Sequence, residues 1–310
     1  MELYDVLVVG GGIAGMTCAL YALRNNKKTL ILEKESFGGQ IANSPKVENF
    51  PTIKSISGLE LSDKVFEQIS DLGVDFELDK VVSIEKENDI FIVSGEYGSY
   101  RSKTVVIASG LKHKTLSLPD EEDYIGKGVS YCAVCDGPFY KGEEVVLIGD
   151  GNTALQYALL LSSYCKKVKV CTLFDRFFGD ESHVSALKKK ENVEVITDVS
   201  AKELVTDGKK VNGVLFEDRL TKTTKIIPCD GVFVAIGQVP ENQAYQNLVD
   251  LDKYGYIVSD EKCLTKTDGL FVAGDCRTKS VRQLTTASSD GAIAGLNACN
   301  YILKNSDLWK

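Results

Sequence analysis

The sequence predicts an α/β protein of two Rossmann-like, three-layer nucleotide-binding domains, the second inserted into the first. Two observations carry the fold and a third fixes the insertion. An apolar strand, a glycine-rich turn and a helix occur together over residues 5–24 and again over 144–164. After residue 240 no third unit of this kind begins. Instead Gly269-Leu270-Phe271-Val272-Ala273-Gly274-Asp275 reads as a strand ending in a polar turn, and a helix of small residues follows over 285–299. The simplest arrangement returns this segment to the first domain, with crossings near Lys112-His113-Lys114 and Gly237-Gln238-Val239. The first domain is then residues 1–112 and 242–310, and the second is 113–241. A chain of 310 residues, 44% of them hydrophobic, has enough apolar material for two such cores.

In the first unit, Asp5-Val6-Leu7-Val8-Val9 is a continuous apolar run, the pattern of a parallel strand covered on both faces. Gly10, Gly12 and Gly15 follow with G-x-G-x-x-G spacing. The first glycine permits a tight turn, the second lets backbone approach a pyrophosphate, and the third lets helix pack on strand. Ile13 and Ala14 open a helix that runs to about Arg24. Its N-terminal N–H groups and dipole suit phosphate. Thr29 to Glu33 is the next strand, and Glu33, followed by Lys34, ends it near the spacing of roughly 20 residues expected of a ribose-binding carboxylate. A glycine turn that only packs would show the same three glycines. Strand, helix and acid agree here, so a dinucleotide is expected, although spacing does not separate FAD from NAD.

The second unit runs from the strand Glu144–Ile148 through the turn Gly149-Asp150-Gly151-Asn152-Thr153-Ala154 to a helix over 155–164 and a strand over 168–173.

Charge and cysteine usage narrow the function. A net charge of −8 argues against a general binder of nucleic acid or anionic membrane, because either needs a basic field. The basic runs Lys166-Lys167-Val168-Lys169 and Lys188-Lys189-Lys190 read as solvated helix ends or turns. The acidic N-terminus leads directly into a strand without a signal-peptide pattern, and no apolar run reaches the roughly 18 residues of a membrane span. Nine cysteines, an odd number with seven scattered singly, suit a reducing cytoplasm and buried thiols.

Cys132-Ala133-Val134-Cys135 is the exception. Two cysteines at this spacing close a small disulfide, and a helix starting after Cys132 would lower its thiolate pKa. Asp136 follows directly, placed to move a proton during thiol–disulfide exchange. The alternative, half of a zinc site, needs a second ligand pair. No other C-x-x-C exists, and His113 and His183 have no helpful spacing, so no metal site is expected.

With these residues in view, the chain resembles the low-molecular-weight thioredoxin reductases. The likeness rests on Gly38-Gly39-Gln40, Val47-Glu48-Asn49-Phe50-Pro51, Val106-Ile107-Ala108-Ser109-Gly110, Cys132-Ala133-Val134-Cys135-Asp136-Gly137, Gly274-Asp275-Cys276-Arg277 and Arg282-Gln283-Leu284-Thr285-Thr286-Ala287. The resemblance implies FAD as cofactor, held by the first glycine turn, Gly39, Gln40, Asn49, Ala108, Gly110 and the C-terminal segment. Asp275 would bind the ribityl or pyrophosphate region, and Arg282, Gln283 and Leu284 would lie against the flavin. Cys135 would be the sulfur near the flavin, Cys132 the thiol that attacks the partner, and Asp136 the acid/base. It further implies a homodimer and a thioredoxin-like protein as substrate.

The second nucleotide site departs from that pattern. The family's G-G-G-D/N-S/T-A turn has Asp150 at its middle glycine, a carboxylate where a pyrophosphate would sit. Where NADPH enzymes carry H-R-R-x-x-x-R, this chain has Phe174-Asp175-Arg176-Phe177-Phe178-Gly179-Asp180, which keeps one arginine. The family's paired Glu after the turn is replaced by Gln156-Tyr157. The expectation is therefore a change of donor from NADPH to ferredoxin, as in the ferredoxin-dependent flavin thioredoxin reductases of anaerobes, docking on Lys166, Lys167, Lys169, Arg176 and Lys188 to Lys190. Phe174, Phe177 and Phe178 are expected in the core. The rivals are an NADPH- or NADH-dependent thioredoxin reductase, a ferredoxin–NADP reductase-like enzyme, which would lack the C-x-x-C, and a non-enzymatic flavin redox sensor.

Overall fold

The apolar run that opens the sequence forms a strand closed off from solvent on both faces. In the computed structural model of the chain, Val6, Leu7 and Val8 are fully buried within β1 (Leu3–Val9). The structure describes residues 2–42, 44 and 47–309; the side chain of Cys135 lies outside the described residues. After β1 come α1 (Ile13–Arg24), β2 (Thr29–Glu33), α2 (Gly58–Ser70), β3 (Asp75–Leu78), β4 (Val81–Glu87), β5 (Ile90–Gly95) and β6 (Ser99–Ile107). Past β7 (Lys112–His113) the chain builds β8 (Val129–Ser130), α3 (Ala133–Asp136), β9 (Glu144–Ile148), α4 (Asn152–Leu161), β10 (Lys167–Cys171), α5 (Glu181–Leu187) and β11 (Val193–Ile196). Then follow β12 (Val199–Thr206), β13 (Val211–Asp218), β14 (Thr224–Pro228) and β15 (Gly231–Val234). After β16 (Gln238–Val239), β17 (Leu270–Val272) and α6 (Leu284–Lys304) complete the chain.

Two compact units result: residues 1–112 with 239–310, and residues 113–238. In the first, β3-β2-β1-β6 is a parallel sheet. The long β6 serves two partners on one edge. Its C-terminal residues Val105 to Ile107 pair in parallel with β17, and its N-terminal residues Ser99 to Ser102 pair antiparallel with β5, which continues to β4. One face of the sheet packs Val6, Val8 and Ile31 against Met16 of α1 and Ala294 and Ala298 of α6. The other face packs Leu7, Leu30 and Val105 against Ile84, Phe91, Tyr245 and Ile257. α1 and α6 meet backbone to backbone, because a Cβ on Gly291 would stand 2.2 Å from the Ala14 carbonyl oxygen and one on Gly295 2.7 Å from that of Cys18.

The second unit repeats the plan. Its sheet, in the order β11-β10-β9-β15-β8, is parallel throughout. Leu147, Val168, Val170 and Phe233 face α4, and Val146, Ile148 and Val232 face the antiparallel layer β12-β13-β14 through Val214, Phe216 and Ile227. The three-layer α/β class expected from sequence is the one observed.

Three local expectations need correction. α4 begins directly after Gly151, in extended conformation, and ends at Leu161 rather than near residue 164. The hydroxyls of Ser162 and Ser163 donate to the carbonyls of Leu159 and Leu160 at 2.7 and 2.6 Å, competing with helical continuation. The basic run 166–169 is not a solvated turn: Lys167 to Lys169 lie in β10, and Lys169 is buried with its ammonium donating to Glu144 and to the Pro228 carbonyl. α3 is a single turn, so Cys132 has little helix dipole behind it.

Candidate active site

The first glycine turn has the geometry its spacing predicts. Gly10 adopts φ +111°, and a Cβ there would sit 2.3 Å from the Ala108 carbonyl oxygen. A Cβ on Gly15 would stand 1.9 Å from the Gly10 carbonyl oxygen, so only glycine lets α1 press on β1 here. Gly12 has open space where a side chain would point, so its backbone can be approached, and Ile13 and Ala14 are buried behind it. Glu33 is buried at the end of β2. One carboxylate oxygen accepts the Gly11 N–H at 2.6 Å and the other accepts the Glu35 N–H at 3.0 Å. The acid braces the turn as well as facing it. The neighbouring Lys34 pairs with Glu241 at 3.3 Å.

Other predicted residues gather in the same unit. Gly38 bridges Gly12, with its N–H donating to the Gly11 carbonyl at 2.9 Å. Gly39, with φ +53°, begins a 3-10 turn against Gly12, and the Gln40 amide donates to the Leu111 carbonyl at 3.4 Å. Gly110, with φ +64°, faces open space after Ala108. Asn49 donates to the side chain of Gln283 at 3.0 Å, and Gln283 caps α6, whose first residue is Leu284, in a capping box with Thr286. Arg282 holds the Asp275 carbonyl at 3.2 Å and lies over Tyr256, with its guanidinium carbon 4.1 Å from the ring centre.

A buried ion cluster that sequence reasoning missed sets the turn Gly274–Cys276. Asp290, 3% exposed, accepts the Gly274 N–H at 3.0 Å, two hydrogen bonds from Arg277 at 2.8 and 2.7 Å, and one from Lys279 at 2.9 Å. Burial pushes the Asp290 carboxyl up, and the bonds from Arg277 and Lys279 outweigh it and hold it below the ordinary value. Its only sequence mark is an acid inside an apolar helix. At Asp275 the balance is reversed, because burial outweighs the nearby charges of Lys279 and Arg282. Burial raises its carboxyl, and its Oδ1 is buried with no partner among the described residues, as is the Ser288 hydroxyl. A carboxylate awaiting a hydroxyl donor, an open Gly12 and the end of α1 together fit an FAD with its pyrophosphate on the first glycine turn.

The redox turn lies in the second unit. Cys132 is half-buried and disulfide-bonded. Its N–H donates to the Ser130 hydroxyl at 3.0 Å, and that hydroxyl donates to the Cys132 carbonyl at 3.2 Å. The Asp136 N–H closes the turn onto the Cys132 carbonyl at 3.1 Å. The seven other described cysteines are free and buried. For Cys165, Cys171, Cys229 and Cys276, burial pushes the thiol up, to between about 11 and about 12. These are unreactive thiols.

The second glycine turn also forms. Gly149 adopts φ +151°, where a Cβ would stand 2.3 Å from the Ala235 carbonyl oxygen, and Gly151 faces open space. The segment after β10 folds onto it: the Phe178 N–H donates to the Asp150 carbonyl at 2.7 Å and the Asp180 N–H to the Asn152 side chain at 2.7 Å. Only Phe177 joins the core. Phe174 and Phe178 are 41% and 53% exposed, contrary to expectation, because the chain turns back on the glycine loop instead of entering the sheet. The expected basic docking face is also reduced, since Lys166, Lys167 and Lys169 are paired with Glu144 or Glu194.

Comparison with known proteins agrees with this assembly. Residues 4–291 match the family Pyridine nucleotide-disulphide oxidoreductase. A thioredoxin reductase of Listeria monocytogenes is 38% identical over 97% of this chain and 94% of its own. The crystal structure of Lactococcus lactis thioredoxin reductase superposes with a TM-score of 0.93 at 36% identity, covering 97% and 99% of the two chains. A ferredoxin-flavin thioredoxin reductase from Clostridium acetobutylicum is also similar, at 29% identity and a TM-score of 0.54 over 98% and 100%. With a flavin-type glycine turn in one unit and a Cys132 disulfide in the other, the chain belongs to the FAD-binding pyridine nucleotide-disulphide oxidoreductases, within the low-molecular-weight thioredoxin reductases.

Proposed function

We propose that the chain reduces a thioredoxin-like protein through FAD and the pair Cys132/Cys135, with electrons from a pyridine nucleotide. The observation that carries the disulfide chemistry is the bonded Cys132 in a C-x-x-C turn next to Asp136. The donor reading rests on the relatives named thioredoxin reductases at 36–38% identity and on the second glycine turn, whose backbone forms at Gly149 and Gly151 despite Asp150 between them. FAD, when bound, supplies the two-electron relay from donor to disulfide. The chain's own residues do the rest. The reduced pair presents the Cys132 thiolate, which attacks one sulfur of the partner disulfide and releases the other as a thiolate. Cys135 then attacks Cys132, re-forming the C-x-x-C disulfide and freeing the partner as a dithiol. Asp136 carries the proton that leaves one thiol and returns to the departing one.

A protein donor of the ferredoxin kind is the second reading. It is favoured by Asp150 and Asp175 and by the likeness to the Clostridium acetobutylicum enzyme. Against it stand the lower identity of that enzyme and the ion-paired lysines of β10. A homodimer and a reducing cytoplasmic compartment complete the proposal.

The test is anaerobic bleaching of the flavin by NADPH, NADH or reduced ferredoxin, each followed by thioredoxin reduction. Bleaching by a nucleotide supports the first reading, and bleaching by ferredoxin alone replaces it with the second. Cys132→Ser is expected to accept electrons into the flavin and to lose thioredoxin turnover; retained turnover would refute the cysteine assignment.

A further inference from the structure

We propose that Arg219, together with Arg176, clamps the 2′-phosphate of NADPH in the second unit and supplies a charge that the motif after β10 lacks. The proposal rests on the pyridine-nucleotide reading above. Arg219 lies in the turn that follows β13, far from the glycine loop in sequence. That turn is shaped by Asp218, whose carboxylate accepts the N–H groups of Leu220 and Thr221 at 2.9 and 2.8 Å, and by the Arg219 N–H donating to the Asp198 carbonyl at 2.8 Å. It carries the guanidinium to the end of β10. Nη1 of Arg219 donates to the Leu173 carbonyl at 2.6 Å, and the guanidinium carbon stands 5.2 Å from the centre of the Phe174 ring.

Phe174 meets Phe178 edge to face at 5.4 Å, and the Arg176 guanidinium lies 5.0 Å from the centre of Phe178. Two guanidiniums therefore ride on one aromatic pair. The pair is fastened to the glycine loop by the Phe178 N–H on the Asp150 carbonyl.

The place is chemically specific. In a dinucleotide site the end of the second strand receives the adenosine ribose, where an acid takes a bare hydroxyl and an arginine a 2′-phosphate. The single bond to Leu173 leaves the other N–H donors of Arg219 for a ligand, and stacking limits the rotamers lost on binding. The exposed Asp175 opposes a phosphate, but two guanidiniums outnumber it. The exposure of two phenylalanines, unexplained by the core, follows if they are the platform for these cations and for adenine.

Calorimetric titration of the FAD-loaded full-length protein with 2′,5′-ADP and with 5′-AMP isolates the 2′-phosphate. The native protein is expected to prefer 2′,5′-ADP by about tenfold or more, equivalent to about 1.4 kcal/mol. Arg219→Ala and Arg176→Ala should each abolish most of that preference, Arg219→Lys should restore part of it, and Asp175→Asn should increase it. In turnover, the ratio of KM for NADH to KM for NADPH should fall in the same two alanine variants. Equal binding of the two probes by the native protein, or an unchanged preference in Arg219→Ala, overturns the clamp while leaving nucleotide-driven thioredoxin reduction standing. If neither nucleotide bleaches the flavin, yet dithionite-reduced enzyme passes electrons to thioredoxin, the donor reading fails and the clamp fails with it.

Discussion

Asp290 shows how a single buried charge ties stability to the proposed cofactor site. Its carboxylate neutralises Arg277 and Lys279 and also fixes the Gly274 N–H, so it sets the turn that carries Asp275, a residue proposed to bind FAD. Removing it would strand two cations out of water, a loss of about 3–5 kcal/mol. Asp290→Ala is therefore expected to lower the urea midpoint sharply and to be purified with less FAD, read from the flavin absorbance per chain. The pH dependence has a definite sign. A carboxyl held below its ordinary value of 3.8 contributes stability that is complete above that pH and is lost as pH falls through the folded value. The native protein should thus lose this contribution on acidification below about pH 4, and the gap between it and Asp290→Asn should narrow there. A gap independent of pH would mean that Asp290 acts only through packing.

The helices α1 and α6 carry the next level, because their contact is made of backbone. An alanine at Gly291 would improve helix propensity by about 0.8–1 kcal/mol, but its Cβ would stand 2.2 Å from the Ala14 carbonyl and force the helices apart. Overpacking of this kind costs about 1–3 kcal/mol, so Gly291→Ala is expected to be destabilising, and Gly295→Ala, at 2.7 Å, less so. Since α1 starts at the glycine turn, both changes should also weaken FAD retention, measured by flavin release on dilution.

The element scale is also where sequence reading succeeds and fails for visible reasons. β1, α1 and β2 were legible because a buried parallel strand, three glycines and a terminal acid leave a contiguous local trace. β3 left none: Asp75-Phe76-Glu77-Leu78 is an exposed edge strand without a buried face. Lys169 misled because a lysine looks solvated until Glu144 and the Pro228 carbonyl are brought to it by β9 and β14. Arg219 was invisible for a similar reason, since its place beside Leu173 depends on a turn in another layer.

At the scale of the whole molecule, the chain holds two units with separate cores. Val6, Met16 and Ile31 belong to one, and Leu147, Leu155 and Phe233 to the other. The proposed chemistry is divided in the same way, with the residues that fit FAD in residues 1–112 and 239–310 and Cys132 in residues 113–238. A ligand stabilises the cooperative unit it binds, by about 2.7 kcal/mol at a hundred times its Kd. Differential scanning calorimetry of the full chain is therefore expected to show two transitions, only one of which moves upward with added FAD. The second should reappear at the same temperature in the excised segment 113–238, which carries its own sheet, helix layer and antiparallel layer. Adding a reductant should shift that second transition downward, because opening the Cys132 disulfide releases a constraint on its unfolded state. A single transition that moves as a whole with FAD would show that the two cores melt as one, and that energy from the cofactor site reaches the redox turn through the fold itself.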